Sequence, residues 1–126
     1  MNGRFVFDTN AIVYYLQGRN EWVEYIDNAP MAERAASVIT RIELLSYPEI
    51  SPAEEESISR FLGDLVVVPL NKKVEDIATA IRRTVRMKLP DAIVAATAIS
   101  MEATLISGDH QFKSLEWPGL HVAMPT

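Results

Sequence analysis

Short β-forming runs that alternate with stretches of helical period constrain this chain more than any other feature. Phe5-Val6-Phe7 is a wholly apolar run that stops at Asp8, the pattern of a strand buried on both faces. Asn10 is placed to cap a helix from Ala11 to about Leu16, ended by Gly18, and a second helix follows Asn20 with Trp22, Val23 and Ile26 on one face. Ala35 to Thr40 reads as the second strand, centred on Val38-Ile39, and Arg41 to Tyr47 as the helix that leaves it before Pro48. Ser51-Pro52-Ala53-Glu54 has the form of a capping box with proline in the first turn, and behind it Ile58, Phe61, Leu62 and Leu65 fall at helical spacing. Leu65 to Leu70 is β-forming, and Asn71 caps a helix with Val74, Ile77, Ala78, Ile81 and Val85 on one face. Leu89-Pro90-Asp91 opens an Ala-rich helix, and Thr104 to Ser107 and His121 to Met124 are the last short strands. This alternation predicts an α/β fold with a mainly parallel sheet covered on both faces, whose ligands bind outside the carboxyl ends of the strands.

The 126 residues, nearly half of them apolar, carry no internal repeat and no linker, so one domain over 1–126 is expected. The absence of cysteine excludes disulfides and thiolate chemistry, and two histidines far apart in sequence argue against a structural zinc site. Three consecutive apolar residues near the start fall short of a signal peptide, and no uncharged apolar run reaches membrane-spanning length. A cytoplasmic protein with no membrane partner is expected. The net charge of −5 argues against a nucleic-acid partner unless basic residues are locally concentrated or bound cations change the balance.

Four acids sit where such a fold places ligands. Asp8 follows the first strand, and Asp109 follows Gly108 after the strand Leu105-Ile106-Ser107. Glu43 falls in the first turn of the helix after the second strand, and Asp91 in the first turn of the Ala-rich helix. Each alone reads as well as a cap, a turn residue or a favourable charge at a helix start. Asp91 follows a helix, so the pattern does not fix its place at this edge. Converging, the four would repel severely in a partly dry cleft and would need protons or hard divalent cations, Mg²⁺ or Mn²⁺. Carboxylate-held cations suit phosphodiester hydrolysis, and they let an acidic protein take a polyanion. Thr9, Asn10, Thr40 and Ser107 are candidates to hydrogen-bond the acids, with capping or backbone bonds as the plainer reading. Arg82, Arg83, Arg86 and Lys88 form the densest basic cluster, either an RNA-phosphate contact or a solvated helix face. His110 reads as a solvated turn residue, and Trp22 and Trp117 as core or partner-facing.

These residues fall into four recognisable motifs. Phe5-Val6-Phe7-Asp8-Thr9-Asn10 resembles the opening strand and first acid of PIN-domain ribonucleases, and Thr40-Arg41-Ile42-Glu43-Leu44 their second motif. Leu89-Pro90-Asp91-Ala92-Ile93-Val94-Ala95-Ala96-Thr97-Ala98 resembles the third, and Leu105-Ile106-Ser107-Gly108-Asp109-His110-Gln111-Phe112 the fourth. Order, spacing and length are similar to VapC-type toxins of toxin–antitoxin pairs. The resemblance implies a three-layer α/β/α fold, Mg²⁺- or Mn²⁺-dependent endoribonuclease activity at Asp8, Glu43, Asp91 and Asp109, a homodimer, and a cognate antitoxin that blocks the groove. Such a partner would set an Arg or Lys among the acids and an apolar helix near Tyr14, Tyr15, Leu16 and Trp22. One departure is Gln111, where the fourth motif often has a second acid. The alternatives are a catalytically inactive PIN-like domain that binds RNA or protein, and an acid-cluster α/β phosphatase. Asn10 stands where a phosphatase of the haloacid dehalogenase type would have its second Asp.

Overall fold

The structure is a computed structural model that describes residues 3–125; Met1, Asn2 and Thr126, part of the expected 1–126 span, lie outside the described residues. In chain order the elements are β1 (Arg4–Phe7), α1 (Thr9–Leu16), α2 (Asn20–Asn28), β2 (Glu33–Ser37), α3 (Val38–Leu45) and α4 (Pro52–Gly63). There follow β3 (Val66–Val68), α5 (Lys72–Thr84), α6 (Leu89–Ser100), β4 (Thr104–Ile106), α7 (His110–Leu115) and β5 (His121–Ala123).

The five strands form one sheet in the order β3-β2-β1-β4-β5, and every pairing is parallel. All carboxyl ends therefore share one edge. From β1 the chain winds outward through β2 to β3, then returns to lay β4 on the other side of β1. The winding direction changes between β1 and β4, which opens a crevice at the carboxyl ends of those two strands.

The two-residue period of the strands divides the core. Val6, Ala35 and Leu105 face the layer made by α5, α6 and α7, where they meet Val74, Ile81, Ile93 and Phe112. Phe7, Ala36 and Ile106 face α1 to α4, where they meet Ile12, Ile26, Leu44, Ile58 and Leu62. Helix α6 is buried without a break from Ala92 to Ala98. Its small side chains let it lie close between α5 and the sheet. The expected three-layer α/β/α architecture is what the chain adopts.

The second strand differs from the expectation in register. It ends at Ser37, and Val38-Ile39 begins α3 instead of forming the strand's centre. The β-branched pair favours a strand locally, but the Ser37 hydroxyl accepts from the Ile39 amide and starts the helix there. Thr40 therefore lies in the first turn of α3 and Glu43 in the second, one turn later than expected. The capping box at Ser51 and the Asn71 cap form as the sequence indicates. Helix α7 was not expected; Asp109 caps it and Phe112 anchors it in the core.

Trp22 is buried, 6% exposed, and packs on Tyr14 with ring centroids 5.2 Å apart. It is not the partner-facing anchor considered from sequence, because its ring closes the core beneath the loop after β4. A Cβ on Gly108 would stand 3.1 Å from the Trp22 ring and 3.2 Å from that of Tyr14, so any larger residue would have to push those rings back by a few tenths of an ångström. Truncating this ring removes the support of the loop as well as its own burial. Trp22→Ala is expected to lose about 3–5 kcal/mol, read as a lowered urea midpoint at unchanged slope.

Candidate active site

Asp8 is the first residue beyond β1 and Ser107 the first beyond β4, side by side across the crevice. The Asp8 amide continues the ladder to the Ile106 carbonyl at 2.9 Å. The Ser107 hydroxyl donates to Asp8 Oδ2 at 2.7 Å, and the Thr9 amide donates to Oδ1 at 2.8 Å. Asp8 thereby caps α1, the role expected of Asn10. Asn10 instead accepts from the Gly108 amide at 2.9 Å and ties α1 to the loop after β4.

The other acids are joined to Asp8 through polar side chains. Thr9 Oγ1 donates to Glu43 Oε1 at 2.6 Å and lies 3.3 Å from Thr40 Oγ1. Thr40 and Glu43 are three apart in α3 and so share the face that meets α1. On the other side, Ser107 Oγ accepts from the Asp109 amide at 3.0 Å. Asp109 Oδ1 accepts from the Gln111 amide N–H at 3.0 Å. The Gln111 side-chain Nε2 donates to Asp109 Oδ2 at 2.6 Å and to Asp91 Oδ2 at 3.2 Å. One hydrogen-bonded chain thus runs Glu43–Thr9–Asp8–Ser107–Asp109–Gln111–Asp91. Asp91, whose place the sequence pattern left open, stands at the same edge as the others.

The electrostatics agree. Burial pushes the Asp8 carboxyl up to about 6, against the lowering effect of the Ser107 and Thr9 hydrogen bonds and with the charges of Asp91 and Asp109 adding to the rise. Asp91 is also raised, first by burial, with the Gln111 hydrogen bond drawing it down and the charges of Asp109 and Glu43 pushing it up. Lys88 opposes the rise at Asp91, so this member of the basic cluster acts on the acids. Arg82 donates to the Met87 carbonyl at 3.2 Å, and with Arg83 it borders a shallow depression between α5 and α6 that includes Leu89 and Ile93. Arg86 is exposed in the segment between those helices, and His110 is exposed at the start of α7. Trp117 is half-buried against the core.

The oxygens gathered here are those of carboxylates and hydroxyls, a set that suits Mg²⁺ or Mn²⁺. Two acids with raised carboxyls are the charge excess that a cation relieves. Among the described residues, no three acids stand at a spacing that would hold a metal ion, and the Gln111 amide lies between Asp91 and Asp109. The donor chemistry fits a hard divalent cation.

A parallel α/β/α sheet with linked acids at its switch point defines a class of acid-site α/β proteins to which PIN domains belong. The sequence model of the PIN domain matches residues 5–118, and the chain belongs to that family. Its fold is similar to the VapBC2 complex of Rickettsia felis bound to a promoter DNA fragment, with a TM-score of 0.83 at 20% identity over 98% of this chain and 99% of the other. A toxin–antitoxin complex from Klebsiella pneumoniae matches with a TM-score of 0.77 at 26% identity over 91% and 93% of the two chains. DNA-bound VapBC from Salmonella typhimurium matches with a TM-score of 0.77 at 20% identity over 96% and 97%. No curated protein sequence matches the chain.

The Asp8 carboxyl fixes a pH dependence. Its ordinary value is 3.8 and its folded value about 6, so folding favours the protonated form. That contribution is complete below about pH 3.8 and is lost as the pH rises through about 6. In metal-free buffer, wild type should lose stability across this window relative to Asp8→Asn, which lacks the titration. Urea unfolding at successive pH values checks it; a difference independent of pH contradicts it.

Proposed function

We propose that the protein is a Mg²⁺- or Mn²⁺-dependent endoribonuclease, the toxin of a toxin–antitoxin pair, working in the cytoplasm as a homodimer. The observation that carries this reading is the hydrogen-bonded chain that gathers Asp8, Glu43, Asp91 and Asp109 at the switch point. Membership of the PIN family and the likeness to VapBC complexes support it.

In this reading Asp8, Glu43, Asp91 and Asp109 hold the ion. When bound there, it would supply Lewis acidity toward phosphate and water. Ser107 and the Thr9 amide fix the Asp8 carboxylate, the Thr9 hydroxyl holds the exposed Glu43 carboxylate, and Asn10 holds the loop that presents Asp109. Exposed Lys88 and Arg86, with Arg82 and Arg83 further along, attract the RNA backbone without reading its sequence. Cleavage of RNA should therefore stop in EDTA and return with Mg²⁺ or Mn²⁺. Asp8→Asn and Asp91→Asn should each lose well over a hundredfold in rate while remaining folded, and Ser107→Ala about 10–100-fold. Full activity of a folded Asp91→Asn variant would overturn the site.

The antitoxin reading has a matching surface. A groove of about 850 Å³ runs between α1, α3 and α4, lined by Val13, Leu16, Leu44, Tyr47, Ile50 and Ile58. Leu16 is 37% exposed and Tyr47 57%. The groove shares α1 and α3 with the acids, so a partner can lay an apolar segment here and reach the acids with an Arg. In this reading the apolar anchor is Leu16 with Tyr47, and Trp22, which is buried, takes no part in it. Leu16→Asp with Tyr47→Asp should abolish co-purification with a co-expressed antitoxin encoded beside this chain and leave RNA cleavage by the free protein intact, since exposed substitutions perturb folding little.

A further inference from the structure

Gln111 occupies the space between two acids drawn from different parts of the fold. Asp91 comes from the first turn of α6 and Asp109 from the cap of α7. The Gln111 carboxamide gives them one nitrogen, 2.6 Å from Asp109 Oδ2 and 3.2 Å from Asp91 Oδ2. An NH₂ group carries two hydrogens, so each carboxylate receives its own, and the partial positive charge lies between them as a cation's would. The backbone N–H of the same residue donates to Asp109 Oδ1, so both oxygens of Asp109 are engaged by Gln111. The amide is held by position: α7 begins at His110, and Phe112, buried beside Gln111, fixes the turn.

We propose that the Gln111 carboxamide is a built-in substitute for the divalent cation: it holds Asp91 and Asp109 together in the metal-free protein, and the ion must displace it from Asp91 Oδ2 and Asp109 Oδ2 to bind. A neutral residue here lets the empty site stay assembled without a third charge. In exchange it weakens metal binding, because the hydrogen bonds to two carboxylates are lost on loading. Activity would then depend on the free concentration of the ion over a range that an acid at this position would shift downward. Gln111 is in this sense a positioning residue that acts through the two acids. The inference rests on the reading of those acids as metal ligands.

The test is Mn²⁺ binding by calorimetry, with melting temperature in EDTA and in saturating Mn²⁺, for wild type, Gln111→Met and Gln111→Glu. Gln111→Met keeps the length and packing of the side chain and removes both donors. It should bind Mn²⁺ about tenfold more tightly than wild type and melt lower in EDTA, with the difference closing in saturating Mn²⁺. Gln111→Glu should bind tighter still and melt lowest in EDTA. A purely structural role would lower melting equally with and without Mn²⁺ and leave affinity unchanged. Unchanged or weaker Mn²⁺ binding by Gln111→Met overturns the inference while the metal-site reading stands. Failure of wild type and both variants to bind Mn²⁺ overturns both. If Gln111→Met does not fold, Gln111→Ala, which also removes both side-chain donors and adds no charge, decides by the same criterion.

Discussion

A carboxylate taken out of water must be hydrogen-bonded or neutralised, and Asp8 is buried at the end of the central strand. Both of its oxygens are used, one by the Ser107 hydroxyl and one by the Thr9 amide. Those two bonds join the ends of β1 and β4 and start α1. They also pass outward: Ser107 accepts from the Asp109 amide, and Thr9 donates from its hydroxyl to Glu43. Even so satisfied, the Asp8 carboxyl stays near 6, because burial outweighs the bonds and Asp91 and Asp109 add their charge. Hydrogen bonds hold the arrangement together, and the raised Asp8 carboxyl marks its shortage of positive charge.

The rest of the fold serves that arrangement. The parallel sheet sends every carboxyl end to one edge, and the reversal between β1 and β4 leaves room there. The small side chains of α6 bring its first turn, and with it Asp91, close to the sheet edge. Trp22 and Tyr14 support Gly108 from the opposite layer, and Asn10 fixes the same residue by its amide. Net charge of −5 and a nucleic-acid substrate are compatible on this account, since four of the 17 acids stand where cations would be held and Lys88 acts on one of them.

Most of this architecture was legible in the sequence, for identifiable reasons. Phe5-Val6-Phe7 and the strand before Gly108 carry an unbroken apolar signal, and the Ser51 and Asn71 caps are local hydrogen-bond chemistry that forms as written. Val38-Ile39 misled because β-branched residues favour strands, whereas Ser37 was free to cap a helix one step earlier. The signal was present, since a serine before an apolar run is an N-cap pattern. Asn10 was read as the cap of α1, the part Asp8 takes, for a similar reason: both residue types cap helices, and only the Gly108 contact separates them. The meeting of Asp91 with Asp109 is a long-range contact through Gln111, and no local pattern encodes it. Trp22 offered no clue to its burial beneath Gly108, because an aromatic on a helix face serves core and interface equally.

The central claim is that the linked acids form one electrostatic unit short of a cation. The most direct measurement is the titration of the Asp8 carboxyl by carbon-detected NMR, without metal and then in saturating Mg²⁺. The account predicts a midpoint near 6 in the metal-free protein and a marked fall when Mg²⁺ is present. A midpoint in the ordinary carboxylate range, or one that Mg²⁺ does not move, would contradict it.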